Sequence, residues 1–191
     1  MIIGLTGKNA AGKGEAANCL KLKGFVYYSL SDVIRDEATN RGMDHSRETL
    51  IKLGNELRQK FKPNYLAQQI NRKIKDELSR NKNLDFVIDS IRSPFEVEEL
   101  RKNKNFILVG IEAPAELRFE RLLKRNRIGD TKTLEEFKSQ EERENLKSDT
   151  NQQLDKTLGM ADKVIVNDGT LEELKEKIYG LLIGLNKKFN M

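Results

Sequence analysis

Close to the start of the chain, Gly7-Lys8-Asn9-Ala10-Ala11-Gly12-Lys13-Gly14 sets two glycines and a lysine in a G-x-x-x-x-G-K spacing. The glycines permit a tight turn whose backbone N–H groups converge on one point, and Lys13 adds a positive charge there. That is chemistry for holding phosphate oxygens. The apolar run Ile2–Thr6 precedes the loop, and Glu15-Ala16-Ala17-Asn18-Cys19-Leu20 follows it as a helical stretch. The positive end of that helix would face the same phosphates. Gly7, Lys8, Asn9, Ala10, Ala11, Gly12, Lys13, Gly14 and Glu15 are therefore candidate phosphate-binding residues. The pattern ordinarily ends in Ser or Thr, whose hydroxyl ligates Mg²⁺; here that position is Gly14. Glu15 then places a carboxylate at the helix start, favourable to the dipole and repulsive to a phosphate. Asp89, closing the apolar run 84–89, is the candidate metal carboxylate, with a turn-capping role as the alternative.

Arginines form the second group. Arg118, Arg121 and Arg125 have i, i+3, i+7 spacing, so a helix would present them on one face. With Arg127 and Gly129 they suggest a short basic lid over about 118–133; a solvated basic face is the bland alternative. Arg35 and Arg92 are candidate clamps on an acceptor phosphate, because guanidinium binds phosphate bidentately. Arg58 is a third candidate, with a surface role equally open. Asp32 reads either as a base for an acceptor hydroxyl or as an N-terminal helix residue bonding backbone amides. Cys19 reads as packing and His45 as a surface bystander. One of Tyr27 and Tyr28 faces the core, leaving the other to line a pocket.

The elements that must position these groups follow from the pattern. The chain has 191 residues, enough for one ordinary domain. Apolar runs at Ile2–Thr6, 25–29, 84–89, 106–111 and 163–167 alternate with helical periodicity, which argues for an α/β fold with a mostly parallel sheet. Ser93-x-x-Glu96, Thr133-x-x-Glu136 and Thr170-x-x-Glu173 read as capping boxes. The 31–80 stretch has only helical periodicity and exceeds what a crossover needs, so it reads as an inserted helical region. Hydrophobic residues make up 37% and charged residues 34%, and no apolar run reaches membrane-span length. The expectation is a cytoplasmic protein with no leader, as monomer or homodimer. One cysteine and one histidine exclude a disulfide framework and a Cys- or His-rich metal cluster. A net charge of +5 points to anionic partners.

Along the loop at 7–14 and the segments 29–35, 89–94, 112–125 and 161–174, the chain resembles the P-loop nucleoside-monophosphate kinases and the related dephospho-CoA kinases, including an archaeal P-loop kinase-like family. Gly after the loop lysine is the adenylate-kinase variant, although those enzymes follow it with Thr rather than Glu. The resemblance implies a P-loop NTPase fold, a five-stranded sheet with helices on both faces, an acceptor-binding helical insertion and a short lid. It implies ATP and Mg²⁺ as cofactors, with Arg121, Asn167 and Gly169 joining the ATP site and Arg92, Arg121 and Arg125 serving transfer beside Lys13. Asp32, Arg35, Arg58 and Arg92 would meet the acceptor. The expected reaction moves the γ-phosphoryl group to a small nucleotide, most simply a nucleoside monophosphate. A dephospho-CoA hydroxyl is the second acceptor, and a non-catalytic nucleotide- or RNA-binding switch the third reading, with nucleic acid disfavoured. Such chemistry needs placement and positive charge rather than a nucleophile.

Overall fold

Strands buried on both faces need unbroken apolar sequence, and the five apolar runs meet that need. A computed structural model describes residues 1–126, 130–144 and 153–189. In chain order the elements are β1 (Ile2–Thr6), α1 (Lys13–Leu22), β2 (Val26–Ser29), α2 (Leu30–Asn40), α3 (Arg47–Lys60), α4 (Tyr65–Arg80), β3 (Phe86–Asp89), α5 (Pro94–Leu100), β4 (Phe106–Glu112), α6 (Ala115–Arg125), α7 (Leu134–Glu144), α8 (Leu154–Gly159), β5 (Lys163–Val166) and α9 (Leu171–Phe189). The strand order is β2-β3-β1-β4-β5, and every pairing is parallel. The fold is α/β with a parallel sheet, as the pattern argued, and of the P-loop NTPase type that the resemblance implied.

Alternation along the strands sends successive side chains to opposite cores. On β1, Ile2 joins Phe86, Ile88 and Leu108 on one face, while Ile3 and Leu5 join Val87 and Val109 on the other. Helices α1 and α9 cover the second face through Ala16, Leu20, Leu174 and Ile178. The 31–80 stretch forms α2, α3 and α4, and its Leu53, Leu57, Leu66, Ile70 and Ile74 share one core with the sheet residues of the first face. Sheet order reverses direction at β1, between β3 and β4. The carboxyl ends of these strands open the crevice where α/β sheets bind ligands. No described helix is long and apolar enough to cross a membrane.

Polar contacts tie α3 and α4 to α5. Arg58 is 4% exposed and Glu96 is fully buried; the guanidinium donates to Glu96 Oε1 at 2.8 and 3.2 Å. Glu99 accepts from Asn64 at 2.8 Å and from Asn71 at 3.2 Å. The capping boxes at Thr133–Glu136 and Thr170–Glu173 form with both reciprocal bonds. The one expected at Ser93 does not. Pro94 begins α5 and Ser93 precedes it, but Glu96 turns away to Arg58 and to the Arg92 backbone N–H. A buried arginine outcompeted a backbone cap for that carboxylate, as a charge-assisted bond should.

Removing one member of a buried ion pair strands the other. Glu96→Ala should lower unfolding free energy by about 3–5 kcal/mol, measured by urea denaturation. The double change Arg58→Met with Glu96→Leu should recover most of that loss.

Candidate functional site

The loop between β1 and α1 is shaped by two contacts that only glycine permits. Gly7 has φ 135°, and a Cβ there would lie 2.1 Å from the Ile111 carbonyl oxygen. Gly12 has φ 109°, and a Cβ there would lie 2.2 Å from Asn167 Nδ2. Asn167 is buried just past β5 and donates that nitrogen to the Ala11 carbonyl at 2.8 Å, clamping the loop from the far side of the sheet. Arg121 closes the same corner, donating to the carbonyls of Asn167 at 3.0 Å and Gly169 at 3.3 Å. The structure thus brings Gly12, Lys13, Arg121, Asn167 and Gly169 together around a cavity of about 840 Å³. Ala10, Gly14, Glu15 and Asp89 line it too. Lys8 does not line it; its ammonium pairs with Asp155 at 3.1 Å and its carbonyl accepts from Lys13. Ala11 is buried within the loop.

Lys13 turns back over its own loop. Its Nζ donates to the carbonyls of Gly7 at 2.7 Å and Lys8 at 2.8 Å. Burial pushes its pKa down to about 8, helped by Arg92, Arg118 and Arg47 and opposed by Asp89. Asp89 is therefore the carboxylate that the lysine feels. Its Oδ1 accepts the Ser90 N–H at 2.6 Å, and Ser90 sits at φ 65°, a strained value for a residue with a side chain.

A second cavity of about 240 Å³ lies between this loop and helices α2 and α3. Arg35, Arg47, Arg58, Arg92 and Arg125 all line it. Asn9, Ser31, Arg35, Ser90, Arg92 and Arg125 line both cavities and so form the wall between them. Arg58 reaches this cavity while its guanidinium is held by Glu96. Asp32 is 2.6 Å from Arg35 in a half-exposed ion pair, and it is Ser31, one residue earlier, that lines both cavities. Arg125 pairs with Asp130 at 2.9 Å.

Arg118 corrects the expectation of three arginines on one ligand-facing side. It is 4% exposed and donates to the carbonyls of Ala113 and Asn9 and to both oxygens of Glu141 on α7. It anchors α7 to the loop. Arg127 and Gly129 lie outside the described residues. Arg47 was missed by sequence reasoning, and His45 was read as a bystander although it lines the smaller cavity. His45 Nε2 lies 3.0 Å from Thr39 Oγ1. His45 lies in the irregular stretch before α3 and Arg47 is the first residue of that helix; the only available signal was the cap Ser46-x-x-Thr49 that starts α3.

Among the described residues no three His, Cys, Asp or Glu side chains converge on a metal position. A divalent cation fits here only as one carried by phosphate oxygens and water, with Asp89 supplying a carboxylate, which is the way Mg²⁺ binds in phosphoryl-transfer sites. Gly14 offers no ligand, and nothing lies within 4 Å of where its Cβ would stand.

The depressed Lys13 value has a measurable sign. Near pH 8 the lysine is half-deprotonated in the free protein, and phosphate oxygens favour its charged form. ATP binding should therefore take up about half a proton at pH 8, shrinking towards zero by about pH 7. Calorimetry in buffers of different ionisation enthalpy reads this directly, and Lys13→Arg should bind without uptake.

Comparison with known proteins accords with this geometry. Residues 3–147 match the family described as the AAA domain. A UPF0200 protein of Pyrococcus abyssi is 36% identical over 181 residues, covering 93% of each chain. The crystal structure of TT1252 from Thermus thermophilus has a TM-score of 0.63 at 22% identity, covering 97% of each chain. Shikimate kinase from Acinetobacter baumannii, in complex with shikimate, has a TM-score of 0.54 at 18% identity, covering 96% of this chain and 93% of that one. At such identities the two structures speak for a P-loop kinase-like fold. The relatives settle the family: the chain is a member of the UPF0200 proteins and carries an AAA-family P-loop domain.

Proposed function

We propose that the protein transfers the γ-phosphoryl group of ATP to a small phosphorylated acceptor, a nucleoside monophosphate. The observation that carries this reading is the shared wall: one loop, Ser90 and three arginines separate a large phosphate-loop cavity from a small arginine-lined one. Two anionic ligands in those cavities would meet across Asn9, Arg92 and Arg125, and their mutual repulsion is what a guanidinium-rich wall offsets. A phosphate acceptor asks no proton transfer of Asp32, which can then serve as the partner of Arg35. A phosphate is nucleophilic at neutral pH without a base, and Asp32 is engaged with Arg35.

Each residue then has a role. The loop N–H groups and Lys13 hold the β- and γ-phosphates, and Asn167 keeps the loop in shape for them. Arg121 and Gly169 border the donor nucleotide. Arg35 and Arg92 hold the acceptor phosphate, and Arg92 with Arg125 balances charge on the moving group. Asp89, together with the nucleotide phosphates, would hold a magnesium ion, which would supply charge neutralisation at the transferring group.

A coupled ADP-release screen tests the reading. At least one nucleoside monophosphate should stimulate turnover, and Arg92→Ala should cut it by about 100-fold or more. Stimulation by dephospho-CoA alone would move the acceptor to a hydroxyl, and no stimulation by either would leave a nucleotide-binding switch. Gly14→Ser has room for its side chain and should tighten binding of Mg-ATP relative to metal-free ATP, measured by titration calorimetry.

A further inference from the structure

Three buried side-chain polar atoms have no hydrogen-bond partner among the described residues: Asn9 Nδ2, Ser93 Oγ and Thr131 Oγ1. Only Asn9 belongs to a residue that lines the two cavities. A buried donor without an acceptor bears its full desolvation cost, so a residue kept in that state calls for an explanation.

The amide orientation is fixed by its neighbours. Arg125 Nη1 lies 3.5 Å from Asn9 Oδ1, and a guanidinium can only donate. The oxygen must therefore face Arg125 and the nitrogen must face away; the flipped amide would set two donors against each other. The backbone of the same residue is held as well, since its carbonyl accepts from Arg118 at 3.3 Å and Arg118 is itself bound to Glu141. Helix α6 thus grips Asn9 at main chain and side chain, and leaves one N–H₂ group unmatched in the wall between the two cavities.

We propose that Asn9 Nδ2 donates a hydrogen bond to the γ-phosphoryl group as it passes between the cavities. This rests on the phosphotransfer reading and assigns a further catalytic residue to it. The bond from phosphorus to the β,γ-bridging oxygen breaks, its electron pair leaves with ADP, and an acceptor phosphate oxygen forms the new bond to phosphorus. Asn9 keeps both amide hydrogens throughout and stabilises charge on the oxygens of the moving group. Arg125 holds the amide by its oxygen, so the turn of Arg125 towards the phosphates releases the side chain to present Nδ2 as the guanidinium adds its own charge.

Calorimetric titration with ADP and with ADP plus beryllium fluoride, a γ-phosphate mimic, tests this without any acceptor. The wild-type protein should bind the fluoride complex more tightly than ADP. Asn9→Ala should keep its ADP affinity within about threefold and lose at least tenfold for the fluoride complex. Its ligand-free melting temperature should not fall, because the substitution removes an unmatched donor. Asn9→Asp retains an oxygen for Arg125 but has no donor, and should lose more than the alanine variant. Unchanged binding of the fluoride complex by either variant would overturn the proposal, as would a wild-type protein that fails to distinguish it from ADP. A negative acceptor screen bears on the nucleoside-monophosphate reading alone, since this titration needs no acceptor.

Discussion

A lysine ammonium held out of water by the loop that carries it is the constraint around which this site is built. Lys13 finds its partners in two carbonyls of its own loop and pays for its burial with a pKa near 8. The loop can hold that geometry only because β4 and the end of β5 come within contact of Gly7 and Gly12, and because Asn167 ties the Ala11 carbonyl. The neighbours of the lysine are mostly cations, with Asp89 as the carboxylate opposing them. A phosphate group entering this field would relieve the lysine's burial and the mutual repulsion of the arginines together. The site is therefore more strained without an anion than with one, which is a physical reason for it to bind one.

The second constraint is where the helices between β2 and β3 are fastened. Arg58 to Glu96, together with Asn64 and Asn71 on Glu99, joins the arginine-bearing side of the smaller cavity to α5, and α5 follows directly from the strand that carries Asp89. Breaking such a buried pair costs several kcal/mol, on the order of 3–5. The arginine-lined wall of the smaller cavity is thus positioned by the same element that positions Arg92, whose backbone N–H bonds Glu96. By contrast α7 reaches the loop through Arg118 and Glu141, so the opposite side of the cleft is tied to Asn9 as well as to α6 through Phe137 and Phe119.

The strands and the phosphate loop were legible because each carries a local signature: continuous apolar sequence for a doubly buried strand, and glycines with a lysine at fixed spacing. The arginines were legible as a group and not one by one. Spacing puts Arg118 and Arg125 on one helical face, yet Arg118 is buried against Glu141 while Arg125 borders both cavities. Nothing at position 58 announces a carboxylate 38 residues later at position 96. His45 and Arg47 flank the N-cap of α3, where no period marks which side chains point inward. The same limit applies to Glu96, whose sequence context fits a capping box and whose partner is set by tertiary packing.

Arg35, Arg58, Arg118 and Arg125 are each held by a carboxylate, and burial decides which of them a ligand could take over. Arg58 and Glu96 are 4% and 0% exposed; separating them would leave an unpaired charge in the core, so Arg58 stays structural and lends only its field to the cavity. Arg118 and Glu141 stand similarly, at 5% and 14%. Arg35 and Asp32 are nearly half-exposed, and a pair of that kind is worth at most about 1 kcal/mol, well below what a bidentate phosphate contact offers. Arg125 with Asp130 falls between. The positive charge of the chain is thus graded by depth: the deeper arginines shape the cleft, and the shallower ones are the ones a phosphate can draw from their carboxylates.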